Sequence, residues 1–575
     1  MRIVRRPDKE IHCDLGGLHP VLARVYSHRD VTEVGELDLA LDRLLPPASL
    51  SGMEAAVHLL ADTLTARGRI LVIGDFDADG ATSCALALRA LRAMGAADVD
   101  FLVPNRFEYG YGLTPEIVEV AARRSPGLIV TVDNGISSLQ GAQAAQARGI
   151  KLLITDHHLP GSELPAATAI VNPNQAGDSF ASKNLAGVGV IFYVMLALRA
   201  HLRASEWFAS RGIPEPNLGQ LLDLVALGTV ADVVSLDYNN RILVAQGLRR
   251  IRQGQCCAGI SALLEVGGRE SQRITAMDLG FVVAPRLNAA GRLEDMSVGI
   301  ACLLADDLRQ ARELARQLDT LNRERRSIEA GMEAQALDAL RNLELQSTLP
   351  AGLCLFDESW HQGVIGILAA RIKERFHRPV IAFAPASATE IKGSARSVSG
   401  LHIRDTLDAV AARRPDLLQR FGGHAMAAGL TLARGHLEAF RLAFSDEVAR
   451  RLDESSMQGV VLTDGELPGR EITLELAELL RAAGPWGQGF AEPLFDGVFE
   501  ISSARIVGEK HLKLILRDAD GSMLDALAFN HAPEPWQAGQ RVRAAFRLDI
   551  NTFRGSSAVQ LVVTHLCLVP NESGN

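Results

Sequence analysis

Four short apolar runs, each followed by a helix-like segment or a loop, constrain the fold of this chain more than any other feature. The runs are "RILVIGD", "DVDFLVP", "GLIVTVD" and "IKLLITD", which begin at residues 69, 98, 127 and 150. Alanine-rich segments such as "TSCALALRALRAMG" lie between them. This alternation predicts a mostly parallel sheet with helices on both faces. We therefore predict an α/β fold for the first part of the chain.

Sequence patterns in the later part of the chain predict a long helix, a second α/β region and a small β-barrel. Between residues 306 and 341, apolar residues recur near multiples of the helical period, which predicts a long connecting helix. "AGLCLFD", "PVIAFAP" and "GLTLAR" then return to an α/β pattern, and after about residue 464 strand-like pieces such as "LKLILRD" predict a small β-barrel. The predicted divisions are an N-terminal extension at 1–50, a catalytic domain at 51–300, the helix at 301–345, a second α/β domain at 346–458 and the barrel at 459–575.

Composition and cysteine pattern argue against a secreted, membrane-spanning, disulfide-rich or zinc-knuckle protein. The 575 residues carry a formal net charge of −9 at pH 7, so a nucleic-acid site would have to be a local basic patch. The N-terminal "MRIVRRPDKE" lacks the apolar region of a signal peptide, and no run of about 18 to 20 apolar residues suggests a membrane span. The seven cysteines form no CxxC pair, which argues against a zinc knuckle or a disulfide framework. We expect a multidomain cytoplasmic protein.

Acidic residues and histidines follow three of the four predicted strands. They occur in "DFDADG", "TVDNG" and "TDHH", and they are Asp75, Asp77, Asp79, Asp133, Asp156, His157 and His158. The carboxyl ends of parallel strands converge on one crevice of an open sheet. We therefore expect these side chains to meet in one site.

Metal binding explains why so many carboxylates are gathered, because neighbouring carboxylates repel one another unless cations neutralise them. "DFDADG" also matches the start of a calcium loop, but that loop needs a glutamate at its twelfth position, where this chain has Leu86. Carboxylate and imidazole ligands without thiolate favour Mn²⁺ or Mg²⁺ over structural zinc. The ligands suffice for two ions, the arrangement that activates a water and stabilises the leaving oxygen in phosphoester hydrolysis.

The motifs "DFDADG", "TVDNG", "TDHH" and "ALGTVADVVSL" resemble the four motifs of the DHH phosphoesterase family. Later stretches, among them "APRLNAAGRL", "GSARS", "FGGHAMAAG" and "GPWGQGFAEPLFDG", resemble the branch of that family formed by bacterial single-strand-specific 5'-to-3' DNA exonucleases. The resemblance covers nearly the whole chain. It implies a parallel-sheet DHH domain, a long helix, a second α/β domain of the DHHA1 type and a C-terminal OB-type β-barrel. It also implies metal-dependent phosphodiester hydrolysis in DNA recombination and repair.

The resemblance also implies roles for individual residues in the catalytic domain. His158 would lie beside the scissile phosphate and donate a hydrogen bond or a proton, and Asp156 would orient the histidine pair. The implied metal ligands are Asp79, His157 and Asp232 for one ion, Asp77 with Asp75 for the other, and Asp133 as the bridge between the two.

A second set of residues would hold the substrate. Arginine presents a planar fork suited to phosphate, and glycines let backbone amides approach an anion closely. Residues of the second α/β domain would hold phosphates at the 5' end, and those at the start of the connector would line the path of the strand. The implied set is Arg286, Asn288, Arg292, Gln362, Ser394, Arg396, Gly422, Gly423 and His424.

The terminal barrel would bind the single strand through a basic groove and stacking aromatics. Phe490, Phe495, Phe529 and Phe553 are available there, but only 5% of the chain is aromatic, so phosphate contacts should dominate. Enzymes of this kind work beside a single-strand-binding protein and a helicase, although no residue pattern in this chain indicates either contact. We expect a monomer.

Two other functions stay open at this point. A small-substrate DHH phosphodiesterase, acting on cyclic dinucleotides or very short RNA, would need only the two α/β domains, so the terminal barrel argues for a polymer. A non-catalytic nucleic-acid-binding relative would have lost metal ligands, whereas every motif position of this chain carries a competent residue. "TVDNG" alone would fit an Asx-turn at a strand end, and only its combination with the other motifs favours metal. "GPWGQG" fits a loop that joins domains better than a DNA contact.

Overall fold

A computed structural model describes residues 1–7, 15, 17–104, 109, 112–346, 349–453, 458–508, 510–531, 536–553 and 555–569. The chain divides into two compact units. The smaller unit comprises residues 1–4 and 323–461, and the larger unit comprises residues 5–322 and 462–575.

Helices and strands alternate along most of the chain. The helices are α1 (Pro20–Ser27), α2 (Met53–Thr65), α3 (Ala78–Ala93), α4 (Pro115–Ala122), α5 (Leu139–Ala147), α6 (Gly187–Ala204), α7 (Trp207–Arg211), α8 (Leu222–Ala231), α9 (Tyr238–Arg252), α10 (Ala258–Val266), α11 (Ala276–Asp278), α12 (Ala284–Leu293), α13 (Ser297–Leu304), α14 (Leu308–Gln346), α15 (Ile365–Phe376), α16 (Ile403–Arg413), α17 (Leu437–Arg451) and α18 (Leu474–Ala482). The strands are β1 (Arg2–Arg5), β2 (Ile70–Gly74), β3 (Val99–Leu102), β4 (Leu128–Val132), β5 (Lys151–Thr155), β6 (Ala169–Val171), β7 (Leu353–Phe356), β8 (Val380–Pro385), β9 (Glu390–Arg396), β10 (Leu418–Gly423), β11 (Ala427–Ala433), β12 (Val460–Thr463), β13 (Phe495–Val507), β14 (His511–Arg517), β15 (Met523–Ala528), β16 (Arg541–Phe553) and β17 (Ser556–Leu568).

The larger unit contains the predicted parallel sheet, with strand order β3-β2-β4-β5-β6. Alternate residues of β2 face opposite sides: Ile70 and Val72 belong to one hydrophobic cluster, and Leu71 and Ile73 to another. Both faces are therefore covered, which explains why the strand reads as a continuous apolar run. The strand order reverses between β2 and β4, and such a switch point opens a crevice at the carboxyl ends of the strands.

The long helix predicted between the α/β domains is present as α14, which has 39 residues. The smaller unit contains a second sheet of order β10-β11-β9-β8-β7, in which only β7 and β8 are parallel. One hydrophobic cluster fills the space between this sheet and the helices α16 and α17, with Phe440 and Phe444 stacked at its centre.

The C-terminal strands close into a barrel of order β13-β14-β15-β17-β16, as the sequence predicts. The structure corrects the expectation about its aromatic side chains. Phe490 is 4% exposed and Phe495 is fully buried, so neither can stack on a base, because the alternation of β13 turns Phe495 into the barrel core. Phe529 is 52% exposed, and the side chain of Phe553 lies outside the described residues.

The "GPWGQG" segment packs against the chain that follows the fourth motif. Leu236 N donates a hydrogen bond of 2.7 Å to Gln488 O. Trp486 and Phe490 stack at 5.2 Å, and the Arg241 guanidinium lies 4.3 Å from the Phe490 ring. These contacts are those of a loop that joins domains.

Helix α6 is the one helix, among the described residues, whose length and apolar composition would allow it to cross a membrane. Its apolar window is 61% buried in the protein, where it packs on α2, α3 and α8. A buried core helix passes the same test of length and composition, so the feature is weak evidence for a membrane span.

Candidate active site

The carboxyl ends of β2, β4 and β5 bring the predicted ligands together at the switch point. Three groups of side chains have ligand atoms within 4.8 Å of one another. The groups are Asp79, His157 and Asp232; Asp75, Asp77 and Asp133; and Asp133, His157 and His158. Asp133 is thus shared between groups. The first two groups contain the side chains that the resemblance assigned to separate ions, and the third group links them through His157 and Asp133. The assignment of each ligand to an ion stays a prediction.

Asp79 is held in place by the beginning of a helix that starts 108 residues later in the chain. Gly187 N donates to Asp79 Oδ2 at 2.6 Å, and Val188 N donates to Asp79 Oδ1 at 3.0 Å. These are amides of the first turn of α6, which have no partner within the helix and suit a carboxylate. A methyl group on Gly187 would lie 2.5 Å from Asp133 Cβ, so only glycine allows this approach.

Asp133 is 2% exposed and has a left-handed backbone with φ of 62°. Aspartate tolerates that conformation better than most residues. The buried Oδ1 of Asp133 accepts no hydrogen bond within the described part of the chain, although His157 Nε2 lies 3.1 Å away and is itself 3.4 Å from Asp232 Oδ2. Oxygen and nitrogen lone pairs that face one another in this way fit a divalent cation.

Electrostatic repulsion within the cluster is visible in the pKa values. Burial, reinforced by the charge of Asp77, raises the pKa of Asp79 to about 7. Burial and the charge of Asp79 raise the pKa values of Asp133 and Asp232 well above the usual range. Such shifts mark a site whose charge balance requires cations when all of its carboxylates are ionised.

The buried Asp156 and the partly exposed His158 form a pair beside these ligands. His158 Nδ1 lies 2.7 Å from Asp156 Oδ1, and the same oxygen accepts the backbone N–H groups of His157 and His158 at 2.7 and 3.1 Å. Asp156 Oδ2 accepts Ile136 N at 2.9 Å. Burial alone would lower the pKa of His158, but the hydrogen bond to Asp156 and the charges of Asp156, Asp75 and Asp77 together outweigh burial and raise that pKa. Asp156 therefore contacts both residues of the histidine pair, and its predicted orienting role stays a prediction.

Residues outside the ligand set brace the site. Asn134, which the sequence analysis did not single out, donates through Nδ2 to Ile73 O at 3.1 Å and to Val132 O at 2.9 Å, and so ties the ends of β2 and β4. Its position beside Asp133 in "TVDNG" was the available signal. Asn288 Oδ1 accepts Ala78 N at 2.8 Å and caps the start of α3.

The connector residues have different surroundings. Arg286 is 8% exposed, and its guanidinium donates to Val282 O at 2.6 Å and pairs with Asp319 at 2.8 Å. These contacts give Arg286 and Asn288 a positioning role, while their predicted contact with a strand stays a prediction. Arg292 occupies the last turn of α12.

In the smaller unit, Ser394, Gly429 and Gly422 form one row across β9, β11 and β10, because Ser394 pairs with Gly429 and Gly429 with Gly422. Neighbouring strands are about 4.8 Å apart. A Cβ atom at either glycine would meet nothing within 4 Å in the described part of the chain. Bare backbone therefore lies open beside Ser394. Gly429 was missed by the sequence analysis, although "AAGL" marks a glycine inside a strand.

Arg396 lies two residues beyond Ser394 and so faces the same side of the sheet. Its Nη1 donates to Ser394 Oγ at 3.1 Å and to Ala395 O at 2.8 Å, and burial lowers its pKa. A methyl group on Gly366, in the first turn of α15, would lie 2.9 Å from Arg396 Nη2 and 3.0 Å from Ser394 Oγ. A guanidinium, a hydroxyl and a helix N-terminus that meet in this way suit a phosphate.

The remaining predicted substrate residues lie nearby in the same unit. Gly423 ends β10 with φ of 147°, and a Cβ atom there would lie 2.4 Å from Ala427 O. His424 N donates to Ala427 O at 2.8 Å in the turn that follows. Gln362 lies just before α15, and its Nε2 donates to Pro385 O at 2.7 Å.

Three family models match the chain. They are described as the DHH family N-terminal domain at residues 69–229, the DHHA1 domain at 349–450 and the RecJ OB domain at 463–565. The order agrees with the α/β domain, second α/β domain and barrel predicted from the sequence.

Relatives match over nearly the whole chain. A protein of Dickeya dadantii named single-stranded-DNA-specific exonuclease RecJ is 55% identical over 566 residues, which cover 98% of each chain. Crystal structures of RecJ from Thermus thermophilus in complex with Mn²⁺ and with Mg²⁺ match with TM-scores of 0.80 and 0.75 at 31% and 29% identity. They cover 99% of this chain, and the matches span 79% and 78% of the Thermus chains.

Proposed function

The chain belongs to the RecJ branch of the DHH phosphoesterase family, and from that premise we propose that it is a metal-dependent exodeoxyribonuclease that degrades single-stranded DNA from the 5' end. The observation that carries the proposal is the set of three overlapping ligand groups, which share Asp133 and His157. Two Mn²⁺ or Mg²⁺ ions held by these residues would activate the attacking water and stabilise the leaving oxygen. The ligand chemistry of the site fits these hard cations.

The residues of the larger unit act on the scissile phosphodiester. Asp79, fixed by the first amides of α6, and Asp133, fixed by the turn after β4, present preformed ligand oxygens. Asp156 accepts from His158 Nδ1, which leaves His158 Nε2 as the atom that holds a proton for the substrate. The raised pKa of His158 favours the protonated form, so this residue can donate to a phosphate oxygen or to the leaving group.

The residues of the smaller unit recognise the strand end. Arg396, Ser394 and the first turn of α15 form a phosphate-sized cradle, and the open backbone of Gly422 and Gly429 extends it along the sheet. A site that holds a terminal 5' phosphate explains how the enzyme selects the 5' end. His424 and Gln362 complete the proposed set of substrate contacts.

The barrel supports a polymeric substrate rather than a cyclic dinucleotide. A closed five-stranded barrel of the RecJ OB type is the part of the chain that a small-substrate phosphodiesterase would not need. Because two of the four candidate aromatics are buried, the barrel should hold a strand mainly through its phosphates.

We extend the proposal to the cellular process, location, oligomeric state and partner proteins of the enzyme. Family membership supports action in DNA recombination and repair as a cytoplasmic monomer, beside a single-strand-binding protein and a helicase. The domain boundaries predicted from the sequence belong to the same proposal. Sedimentation of the purified protein, alone and mixed with a single-strand-binding protein, tests both the monomer and the first partner.

The direct test uses purified protein, Mn²⁺ and a long single strand labelled at its 3' end, with a matching duplex and a dinucleotide alongside. Progressive shortening of the single strand from its 5' end is the expected result. Cleavage of the dinucleotide alone would replace the proposal with a small-substrate phosphodiesterase. Binding without any cleavage, together with no thermal stabilisation by Mn²⁺, would indicate a non-catalytic relative.

A further inference from the structure

A single turn of π-helix, Leu279–Val283, lies between α11 and α12 and presents one large aromatic side chain to solvent. Phe281 is 67% exposed, whereas Leu279 and Val283 on either side of it are fully buried. Leaving a phenylalanine in water forgoes the free energy of burying it. Single π-helical turns also occur often at functional sites.

This turn is attached to the elements that carry metal ligands. A methyl group on Gly280 would lie 3.2 Å from Val230 Cγ1, and Val230 precedes Asp232 by two residues in the last turn of α8. The following helix, α12, holds the start of α3 through the bond from Ala78 N to Asn288 Oδ1. Phe281 is therefore carried by a segment that contacts α8, the helix that Asp232 follows, and α3, the helix that contains Asp79.

The π-helical turn is also held rigid. The guanidinium of Arg286 donates to Val282 O at 2.6 Å, and it is in turn fixed by Asp319 at 2.8 Å. Val282 is the residue next to Phe281, so this buried ion pair fixes the backbone from which the phenyl ring projects. A rigid, exposed ring loses little conformational entropy when a flat partner binds to it.

A second exposed apolar side chain lies directly beside the ligands. Val233 follows Asp232, is 63% exposed and has φ of 60°, a left-handed conformation that is a rare outlier for a β-branched residue. Its N–H donates to Val230 O at 3.3 Å, so Val233 and Gly280 both contact Val230. Strained backbone tends to persist at sites of function.

We propose that Phe281 forms a stacking platform for a nucleobase of the single strand next to the metal-ligand cluster, and that the exposed Val233, whose segment also contacts Val230, adds apolar surface to the same region. This inference rests on the proposed function. It concerns the nucleobases of the substrate, which the proposed phosphate contacts do not bind. Every base has a flat π face, so an aromatic ring binds bases with little regard to sequence. The platform would place the sugar and phosphate that belong to the stacked base over Asp232 and its neighbours.

The test compares Phe281→Ala and Phe281→Trp with the unmodified full-length protein on 5'-phosphorylated single strands. Loss of a stacked base typically weakens binding by about 5- to 150-fold. Phe281→Ala should therefore raise KM by that factor with kcat nearly unchanged, and Phe281→Trp should restore KM. Leu442→Ala, which removes a 71% exposed apolar side chain from α17, is the matched control and should leave KM unaltered.

Strands with one abasic residue, placed in turn at each of the first nucleotides, identify the stacked base. At one position the missing base should raise KM for the unmodified protein but add nothing to the effect of Phe281→Ala. Equal KM values for Phe281→Ala and the unmodified protein, or an unchanged abasic penalty in that variant, would overturn the platform while leaving the exonuclease activity intact. Failure of the unmodified protein to cleave or bind any strand would instead overturn the proposed function, and the platform with it.

The thermal midpoint with and without Mn²⁺ separates this role from a structural one. A side chain that is mostly exposed contributes little to folding. Phe281→Ala should therefore keep both midpoints. A loss of Mn²⁺ stabilisation in this variant would mean that Phe281 supports the ligands and would overturn the platform.

Discussion

His158 Nδ1 lies 2.7 Å from Asp156 Oδ1, and this single contact fixes which nitrogen of the imidazole is left for the substrate. Asp156 is 1% exposed and receives three backbone N–H groups in addition, so it cannot turn away. In the proposed mechanism, the proton chemistry of His158 therefore depends on the buried carboxylate of Asp156.

The first prediction concerns this pair. His158→Gln should lower kcat by about 10²- to 10⁴-fold, the usual contribution of a general acid, while thermal stabilisation by Mn²⁺ persists. Asp156→Asn removes the charge that raises the pKa of His158, so the alkaline limb of the kcat profile should move to lower pH. A profile that stays in place in Asp156→Asn would contradict the proposed coupling.

The second prediction concerns the metal-free protein. The pKa of Asp79 is raised to about 7 in the folded state, mainly by burial, whereas an unfolded aspartate titrates near 3.8. The stability that this shift contributes is complete below pH 3.8 and is lost as pH rises through about 7. With a chelator present, ionisation of Asp79 should therefore lower the thermal midpoint increasingly as pH rises between these values. Addition of Mn²⁺ should abolish this decrease. Scanning calorimetry at several pH values with and without Mn²⁺ measures the difference.

The third prediction separates charge repulsion from metal binding at Asp133. Asparagine tolerates the left-handed backbone found there, so Asp133→Asn keeps the turn. Removing one of the mutually repelling carboxylates should raise the midpoint of the metal-free protein, yet abolish cleavage and most of the shift with Mn²⁺. An unchanged response to Mn²⁺ would show that Asp133 is not a ligand.

The fourth prediction concerns the phosphate cradle of the smaller unit. A hydrogen bond to a charged group contributes about 1.5–3 kcal/mol, so Arg396→Ala should raise KM by roughly 10- to 100-fold with little change in kcat. The preference for a 5' phosphate over a 5' hydroxyl should disappear as well. Arg396→Lys keeps the charge but loses the planar fork, so its KM should lie between those of the unmodified protein and Arg396→Ala. Retention of the 5' phosphate preference in Arg396→Ala would refute this role.

The fifth prediction concerns stability away from the site. Asp464 pairs with Arg29 at 2.9 Å, and both side chains are buried. Burial alone would raise the pKa of Asp464, but the bond and charge of Arg29 and the hydrogen bonds from Leu494 N and His28 together outweigh burial and lower that pKa. The stabilisation is therefore present above about pH 3.8 and is lost as pH falls through the folded value. Asp464→Ala leaves a buried arginine unpaired and should cost about 3–5 kcal/mol in the free energy of unfolding. Asp520→Asn, an exposed carboxylate, is the control, and equal denaturation midpoints for both variants would contradict this account.

The sequence predicts which residues form the ligand cluster because the topology of a parallel sheet determines which strand ends lie close together. Once four parallel strands are recognised, the residues after β2, β4 and β5 must share an edge of the sheet, and no distances are needed to bring Asp75, Asp133 and His157 together. The long helix and the barrel follow equally from periodicity, because the amphipathic faces of helices and strands repeat at different intervals.

The supporting contacts could not be predicted, because they join residues that are far apart in the chain. The amides that hold Asp79 come from Gly187 and Val188, and the partner of Ala78 N is Asn288. The row formed by Ser394 and Gly429 depends on the register of β9 and β11, which a sequence pattern leaves open. The aromatic side chains of the barrel were misjudged because composition does not reveal which of them face the core.

The buried carboxylates at the switch point also bear on how long the folded protein lasts. A cluster that is repulsive when empty and favourable when filled makes divalent-ion binding a part of the folding free energy. The share of molecules that open transiently, and with it the exposure of the chain to proteases, then rises as free Mn²⁺ or Mg²⁺ falls. Ion supply would thus regulate the abundance of this enzyme in addition to its turnover.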